Sequence, residues 1–244
     1  MRTANPALNA NTFAHVPAAA SGQAMTIQGT VNRSFILLAI LVVTANWVWG
    51  RVSAGMVPQG LILVGALGGF VVALVTVFKK DWATVTAPLY AALEGLFVGG
   101  ISAVFEGMYP GIVIQAVGLT FGTLGALLLA YTSRLIPVTQ NFRLGIVAAT
   151  GGICLFYIVA WIMSFFGVQM PLLHDSGPLG IGLSVVIVVI AALNLVLDFD
   201  FIEHASERGL PKYMEWYAAF GLMVTLIWLY IEILRLLSKV RSRR

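Results

Sequence analysis

The sequence has few charged residues and only one cysteine. Charged side chains make up 10% of its 244 residues, whereas hydrophobic residues make up 59% and the mean hydropathy is +0.94. A soluble domain carries roughly a quarter charged residues, so this composition predicts an integral membrane protein. Because Cys154 has no second cysteine to pair with, the fold cannot depend on an internal disulfide.

Motifs of the common catalytic and metal sites are also missing. There is no HExxH, GxSxG or P-loop sequence, and the three histidines (His15, His174 and His204) lie outside the apolar segments. We therefore expect no enzyme activity, no metal site and no cofactor. The net charge of +4 does not indicate nucleic acid, since five of the fourteen basic residues lie in the last ten positions, beside an apolar segment.

Seven apolar segments run along the chain. They cover about residues 35–49, 59–78, 84–105, 112–131, 144–167, 181–201 and 216–237. Their length and apolarity predict an all-α membrane protein with seven transmembrane helices. We predict three regions: a mobile N-terminal tail over residues 1–33, a seven-helix domain over 34–238, and a basic C-terminal tail over 239–244.

Glycines recur at spacings of three and four residues in the second and third segments, at positions 65, 68, 69, 95, 99 and 100. Small residues at this spacing predict closely packed helices. The alternative is that glycine is simply common in membrane helices.

Basic residues are unevenly distributed among the connections. The N-terminal tail and the second, fourth and sixth loops hold eight of them, whereas the intervening loops hold only Arg51. The positive-inside rule therefore predicts a cytoplasmic N-terminus. Seven crossings would leave the basic C-terminal tail outside, so either this tail is an exception or the sixth or seventh segment re-enters without crossing.

Acidic residues occur inside these segments, where an isolated charge is costly. Asp198 follows the uncharged run 176–197, Asp200 comes two residues later, and Glu94 lies in the middle of the third segment. Such acids usually line ion or proton pathways. Asp198 and Asp200 point about 200° apart on a helix, so at most one faces a pathway and the other marks the water interface. Asn194 lies one turn before Asp198 on the same face and could hydrogen-bond it.

Two of the acids also have a purely structural interpretation. Glu232 precedes Arg235 by three positions, a spacing that favours a local ion pair on the helix. Glu94 could instead make a hydrogen bond to a neighbouring helix. With these alternatives open, the candidate ion pathway or pH gate consists of Asp198, Asp200, Glu94, Asn194 and Glu232.

Four stretches carry a resemblance to a known family. They are NPAL at 5–8, APLYAALEGLFVGGISAVFE at 87–106, YPGIVIQAVGLTFGTL at 109–124, and the run from NLVLDFDFIEHASERG to LYIEILRLL at 194–237. Together they resemble the Bax inhibitor family of the transmembrane Bax-inhibitor-motif group, and in particular its bacterial YccA-like branch. The resemblance implies a seven-helix bundle with the last helix central, located in the bacterial inner membrane.

The resemblance also implies a pH-sensitive calcium leak gated by an aspartate pair between the sixth and seventh helices. Asp198 best matches the sixth-helix aspartate, with Asp200 as a close competitor. The seventh-helix position falls near Thr225, and that segment contains no aspartate. Glu94, Glu232 or Asp200 would have to substitute for the missing partner.

Two functions therefore remain open. The first is a cation leak, in which calcium or another cation is the transported ion and the partners are this ion and the lipid bilayer. The second is a non-conducting regulator of a membrane protein complex, such as a membrane-anchored quality-control protease, acting through the N-terminal tail.

Overall fold

A computed structural model describes residues 24–167 and 175–243. Its helices are α1 (Ile27–Ser53), α2 (Gln59–Phe78), α3 (Ala83–Met108), α4 (Ile112–Thr132), α5 (Gln140–Phe165), α6 (Pro178–Glu207) and α7 (Met214–Ser242), with a 3-10 turn at Lys80–Trp82 before α3. All seven are long and apolar enough to cross a membrane. The prediction of an all-α protein with seven transmembrane helices is confirmed, and the chain is a multi-pass membrane protein.

Helix α7 is the centre of the bundle. It packs against α1, α3, α4 and α6. In its most apolar stretch 56% of the residues are buried, compared with 6% in α5, which lies at the periphery. The large side chains of Tyr217, Phe220 and Leu229 are almost completely enclosed by these neighbours. The last helix is therefore central, as the family resemblance implies.

Glycines allow α3 to lie close to α1 and α2. A Cβ atom added at Gly65 would lie 2.6 Å from the backbone nitrogen of Phe97, and one added at Gly99 would lie 2.6 Å from the backbone oxygen of Ala45. Real Cβ atoms do not approach backbone this closely, so these positions accept only glycine without a shift of the helices. The glycine spacing thus reflects close helix packing and not composition alone.

The first helix begins earlier than predicted. Thr26 caps α1 by accepting a hydrogen bond from the backbone nitrogen of Gly29, so residues 27–33, which we assigned to the tail, belong to the helix bundle. Polar residues in the first turns interrupt the apolar pattern and conceal this start. Just before the helix, Met25 N donates to Leu210 O at 2.6 Å. The remaining part of the predicted mobile tail, residues 1–23, lies outside the described residues.

The last helix continues through residue 242, so residues 239–242 of the predicted basic tail are helical and the bundle extends beyond residue 238. Lys239 is 5% exposed and donates to Gly180 O and Ser184 Oγ. Arg241 donates to the carbonyls of Tyr109 and Pro110, in the connection between α3 and α4.

These contacts resolve the conflict over the C-terminus. The connection between α3 and α4 is on the face of the bundle opposite to the start of α1, so α7 crosses completely and its end lies on that opposite face. The alternative of a re-entrant sixth or seventh segment is wrong. Lys239 and Arg241 at the end of α7 are bound to the protein itself, so the number of basic residues here is a weak indicator of the side on which the helix ends.

Candidate functional site

Asp198 lies in the most enclosed part of α6. Its side chain is 0% exposed. At 1.5 Å per residue it is about 14 Å from the end of α6, and Thr225 is about 16 Å from the start of α7, so the two residues lie at about the same depth. Thr225 is 3% exposed, and its hydroxyl donates to Gly221 O at 3.4 Å. The position that the family resemblance assigns to the second aspartate therefore holds a buried hydroxyl.

Glu94 lies at a similar depth on α3, about 16 Å from the start of that helix. It is 9% exposed and forms a hydrogen bond with the Tyr90 side chain. It also lies close to α2, because a Cβ atom added at Gly69 of that helix would be 2.7 Å from Glu94 Oε1. The Tyr90 ring packs edge-on against Phe220 of α7, with 4.8 Å between the ring centroids. Glu94 is thus connected to the central helix through Tyr90.

Asp200 is also buried, although it points away from Asp198. It is 6% exposed, and its Oδ2 accepts a hydrogen bond of 2.6 Å from Arg143 Nη2, at the start of α5. His204, one turn later on α6, places Nδ1 3.5 Å from Asp200 Oδ1. Asp200 is therefore held in the protein by Arg143, a positive charge that the apolar pattern of α5 did not reveal.

Asn194 connects α6 to α5. Its Nδ2 donates to Thr150 Oγ1 at 2.9 Å and to Ile190 O at 2.8 Å. These two bonds use both N–H groups of the amide. Asn194 therefore joins two helices. It does not donate to Asp198, although its position one turn away had suggested such a bond.

Glu232 takes part in a three-residue polar cluster between α7 and α5. Its side chain is 3% exposed, pairs with Arg235 Nη1 at 3.2 Å, and accepts a hydrogen bond of 2.9 Å from Tyr157 Oη. Arg235 also donates to Tyr157 Oη, and its guanidinium lies 5.2 Å from the centre of the Tyr157 ring. The ion pair predicted from the three-residue spacing is present. Glu232 is about 10 Å further along α7 than Thr225, so it does not replace the missing aspartate.

Sequence reasoning missed a further buried acid, Glu215. It lies in the first turn of α7, is 1% exposed, and pairs with Arg33 Nε at 3.1 Å. Its Oε1 accepts hydrogen bonds from the backbone nitrogen and the hydroxyl of Thr26 at 3.0 and 3.2 Å. It was missed because the seventh apolar segment begins only at Trp216, so Glu215 falls just outside it. The one hint in the sequence was Arg33, a basic residue just before the first apolar segment, which needs an acidic partner if it is buried.

The candidate residues do not form one cluster. Asp200, Glu232 and Asn194 each bind a residue of α5. Glu94 and Asp198 lie about 16 and 14 Å from the same face of the bundle, on two helices that pack against α7. Within residues 24–167 and 175–243, no group of three His, Cys, Asp or Glu side chains is placed to hold a metal ion. The arrangement can exchange protons at single carboxylates.

The comparisons with known proteins agree with this architecture. No curated protein and no solved structure matches the chain significantly. The family model described as Bax inhibitor 1 like matches residues 5–242, nearly the whole sequence. The chain therefore belongs to the Bax inhibitor 1 like family.

Proposed function

We propose that this protein is a pH-sensitive leak for cations, with calcium as the transported ion, and that the intramembrane carboxylates Glu94 and Asp198 control it. The observation that supports this best is their depth: both are buried about 14 to 16 Å from the same face of the bundle, on either side of the central helix α7. No enzymatic role is part of the proposal.

The cost of buried acids supports a functional role for Glu94. A carboxylate within the hydrocarbon layer is expensive, and acids retained there are commonly functional. Asp200, Glu215 and Glu232 each form an ion pair with an arginine, which accounts for their burial. The hydrogen-bond partner of Glu94, Tyr90, is neutral. Glu94 can therefore change charge without breaking an ion pair.

A protonation switch follows from this chemistry. When Glu94 or Asp198 is protonated, the neutral side chain can remain packed among the helices. When it is ionised, the enclosed charge attracts a cation, and calcium prefers carboxylate and carbonyl oxygens. Loss of a proton would thus favour a conformation that admits cations to the depth of Thr225.

The resemblance to the bacterial YccA-like branch supports a location in the bacterial inner membrane, and the distribution of basic residues supports a cytoplasmic N-terminus. In that orientation Asp200, Glu215 and their arginine partners lie in the cytoplasmic half, and Glu232 lies in the outer half. The second candidate is regulation of a membrane-anchored protease without conduction. It is supported by the contacts of Met25 and Thr26 with Leu210 and Glu215, which hold residues 25 and 26 beside the connection between α6 and α7, where a partner protein could contact them.

Flux measurements on liposomes that contain only this protein distinguish the two functions. We expect calcium entry that depends on pH, in excess of protein-free liposomes, and a changed pH dependence for Glu94→Gln, which keeps the shape and loses the charge. Glu203→Gln is a matched control, since Glu203 is 23% exposed near the end of α6. Absence of flux from the folded wild-type protein would refute the leak and favour the regulator.

A further inference from the structure

A groove opens between α5 and α7 on the periphery of the bundle. It has a volume of about 400 Å³ and is lined by Thr150, Ile153, Cys154, Tyr157, Ile158, Trp161 and Trp228. Six of these residues belong to α5. The groove is large enough for a small-molecule ligand, since such sites range from about 300 to 1,000 Å³ and are mostly apolar with few polar groups.

The groove has the length of one membrane leaflet. From Thr150 to Trp161 the helix rises about 16 Å, which is about half of a hydrocarbon layer roughly 30 Å thick. Trp161 lies four residues before the end of α5 and is 65% exposed, as expected for a tryptophan at the level of the headgroups. Thr150 lies near the middle of the membrane. An acyl chain extending from one surface to the bilayer midplane matches this span.

A positively charged side chain, that of Arg235, lies beside the groove near the membrane surface. Arg235 stacks on the Tyr157 ring, which lines the groove, and the arginine side chain is 34% exposed. Arg235 is about 10 Å from the end of α7, and α7 is about 14 Å longer than the hydrocarbon layer is thick. The guanidinium of Arg235 can therefore reach the level of the lipid phosphates when its side chain extends toward the surface.

The arginine retains hydrogen-bonding capacity for a ligand. Only Nη1 is used by Glu232 and Tyr157, and the other two nitrogens have no hydrogen-bond partner within the described parts of the chain. A guanidinium presents five N–H donors in a fork that fits phosphate oxygens. The remaining donors are therefore complementary to an anionic phosphate.

From the span, the apolar lining and this cation we propose that the groove is a binding site for a phospholipid of the surrounding leaflet. One acyl chain lies along α5 between Thr150 and Trp161, and the phosphate contacts Arg235. The site is separate from Glu94 and Asp198 and does not depend on the leak function. A bound lipid would fill the space between the peripheral helix α5 and the central helix α7 and so hold α5 in place.

The single cysteine allows a direct test, because Cys154 lines the groove and is exposed. The wild-type protein, extracted in a mild detergent with added phospholipid, is examined by native mass spectrometry for retained lipid. We expect one phospholipid per chain, and a loss of at least about tenfold in retention after Cys154 reacts with a bulky maleimide. The matched control is Leu155→Cys in a Cys154→Ala background, labelled in the same way, because residue 155 is 65% exposed but does not line the groove.

A second variant tests the phosphate contact. Glu232→Gln combined with Arg235→Gln removes the cation without leaving a buried carboxylate alone, and we expect retention to fall about tenfold or more. Circular dichroism of each sample verifies that it is folded. The proposal is overturned if labels at positions 154 and 155 reduce retention equally, or if the double variant retains lipid like the wild type. It is also overturned if the lipid-free protein is a dimer that labelling at Cys154 dissociates, since the groove would then hold a second copy of the chain.

Discussion

The buried ion pair between Arg143 and Asp200 gives the sharpest stability prediction. Replacing Arg143 with methionine keeps most of the side-chain volume and removes the charge. Asp200 would then remain buried, with its side chain 8% exposed, about 10 Å from the end of α6, without the guanidinium that now lies 2.6 Å away. His204, at 3.5 Å, is a poorer substitute because it is charged only when protonated.

The magnitude follows from the burial of the two partners. Removing one member of a buried ion pair costs about 3–5 kcal/mol, because the other charge is left uncompensated. A second ion pair serves as a control. Arg134, in the connection between α4 and α5, places Nη2 2.9 Å from Glu203 Oε1 of α6, but the Arg134 side chain is 77% exposed. An exposed pair of this kind contributes about 0–1 kcal/mol, so Arg134→Met should cost several-fold less than Arg143→Met.

Unfolding in mixed detergent micelles, followed by circular dichroism, measures both losses. We also expect Arg143→Met combined with Asp200→Asn to be more stable than Arg143→Met alone, since the double variant contains no buried charge at this position. If Arg143→Met and Arg134→Met destabilise the protein equally, or if the second substitution recovers nothing, the ion pair does not have the role that its geometry indicates.

Three further predictions follow from the packing and the orientation. Gly99→Leu should separate α1 from α3 and lower the yield of folded protein, whereas the same change at Gly118, which has open space around it, should be tolerated; size-exclusion profiles compare the two. Glu215→Gln should weaken the contacts with Thr26 and Arg33 and speed hydrogen exchange over the first turns of α1, and unchanged exchange there would show that these contacts do not stabilise the start of the helix. In a background with Cys154 replaced by alanine, a cysteine probe at Ser53 should be labelled from outside intact cells and one at Thr139 should not, and the reverse pattern would invert the orientation.

The fold could be predicted from the sequence because bilayer thickness sets the length of an apolar run. The segments predicted at 59–78 and 112–131 agree with α2 and α4 to within one residue at each end. The start of α1 and the end of α7 could not be predicted in this way. There the stabilising groups are polar, namely Thr26 with Glu215 at one end and Lys239 with Ser184 at the other. Polar residues do not extend an apolar run, so hydropathy does not mark these helix ends.

The candidate site was less predictable than the fold. The sequence placed Asp198, Glu94 and Glu232 within the apolar segments, and all three are buried. It did not reveal which basic residue approaches which acid, because Arg143 and Asp200 are 57 residues apart and meet only through the packing of α5 on α6. Helical spacing alone gives contacts within a helix, and the local pair of Glu232 with Arg235 is the one ion pair that we predicted from it.

The most direct test of the proposed function compares Asp198→Asn with Asp200→Asn in calcium flux measurements on proteoliposomes across a range of pH. The two residues are neighbours, both are buried, and both changes remove one negative charge from the same turn of α6. We predict that Asp198→Asn abolishes or flattens the pH-dependent flux, and that Asp200→Asn has a smaller effect because its carboxylate is bound by Arg143. The opposite order, or unchanged flux in both variants, would contradict the proposal that Asp198 controls the leak.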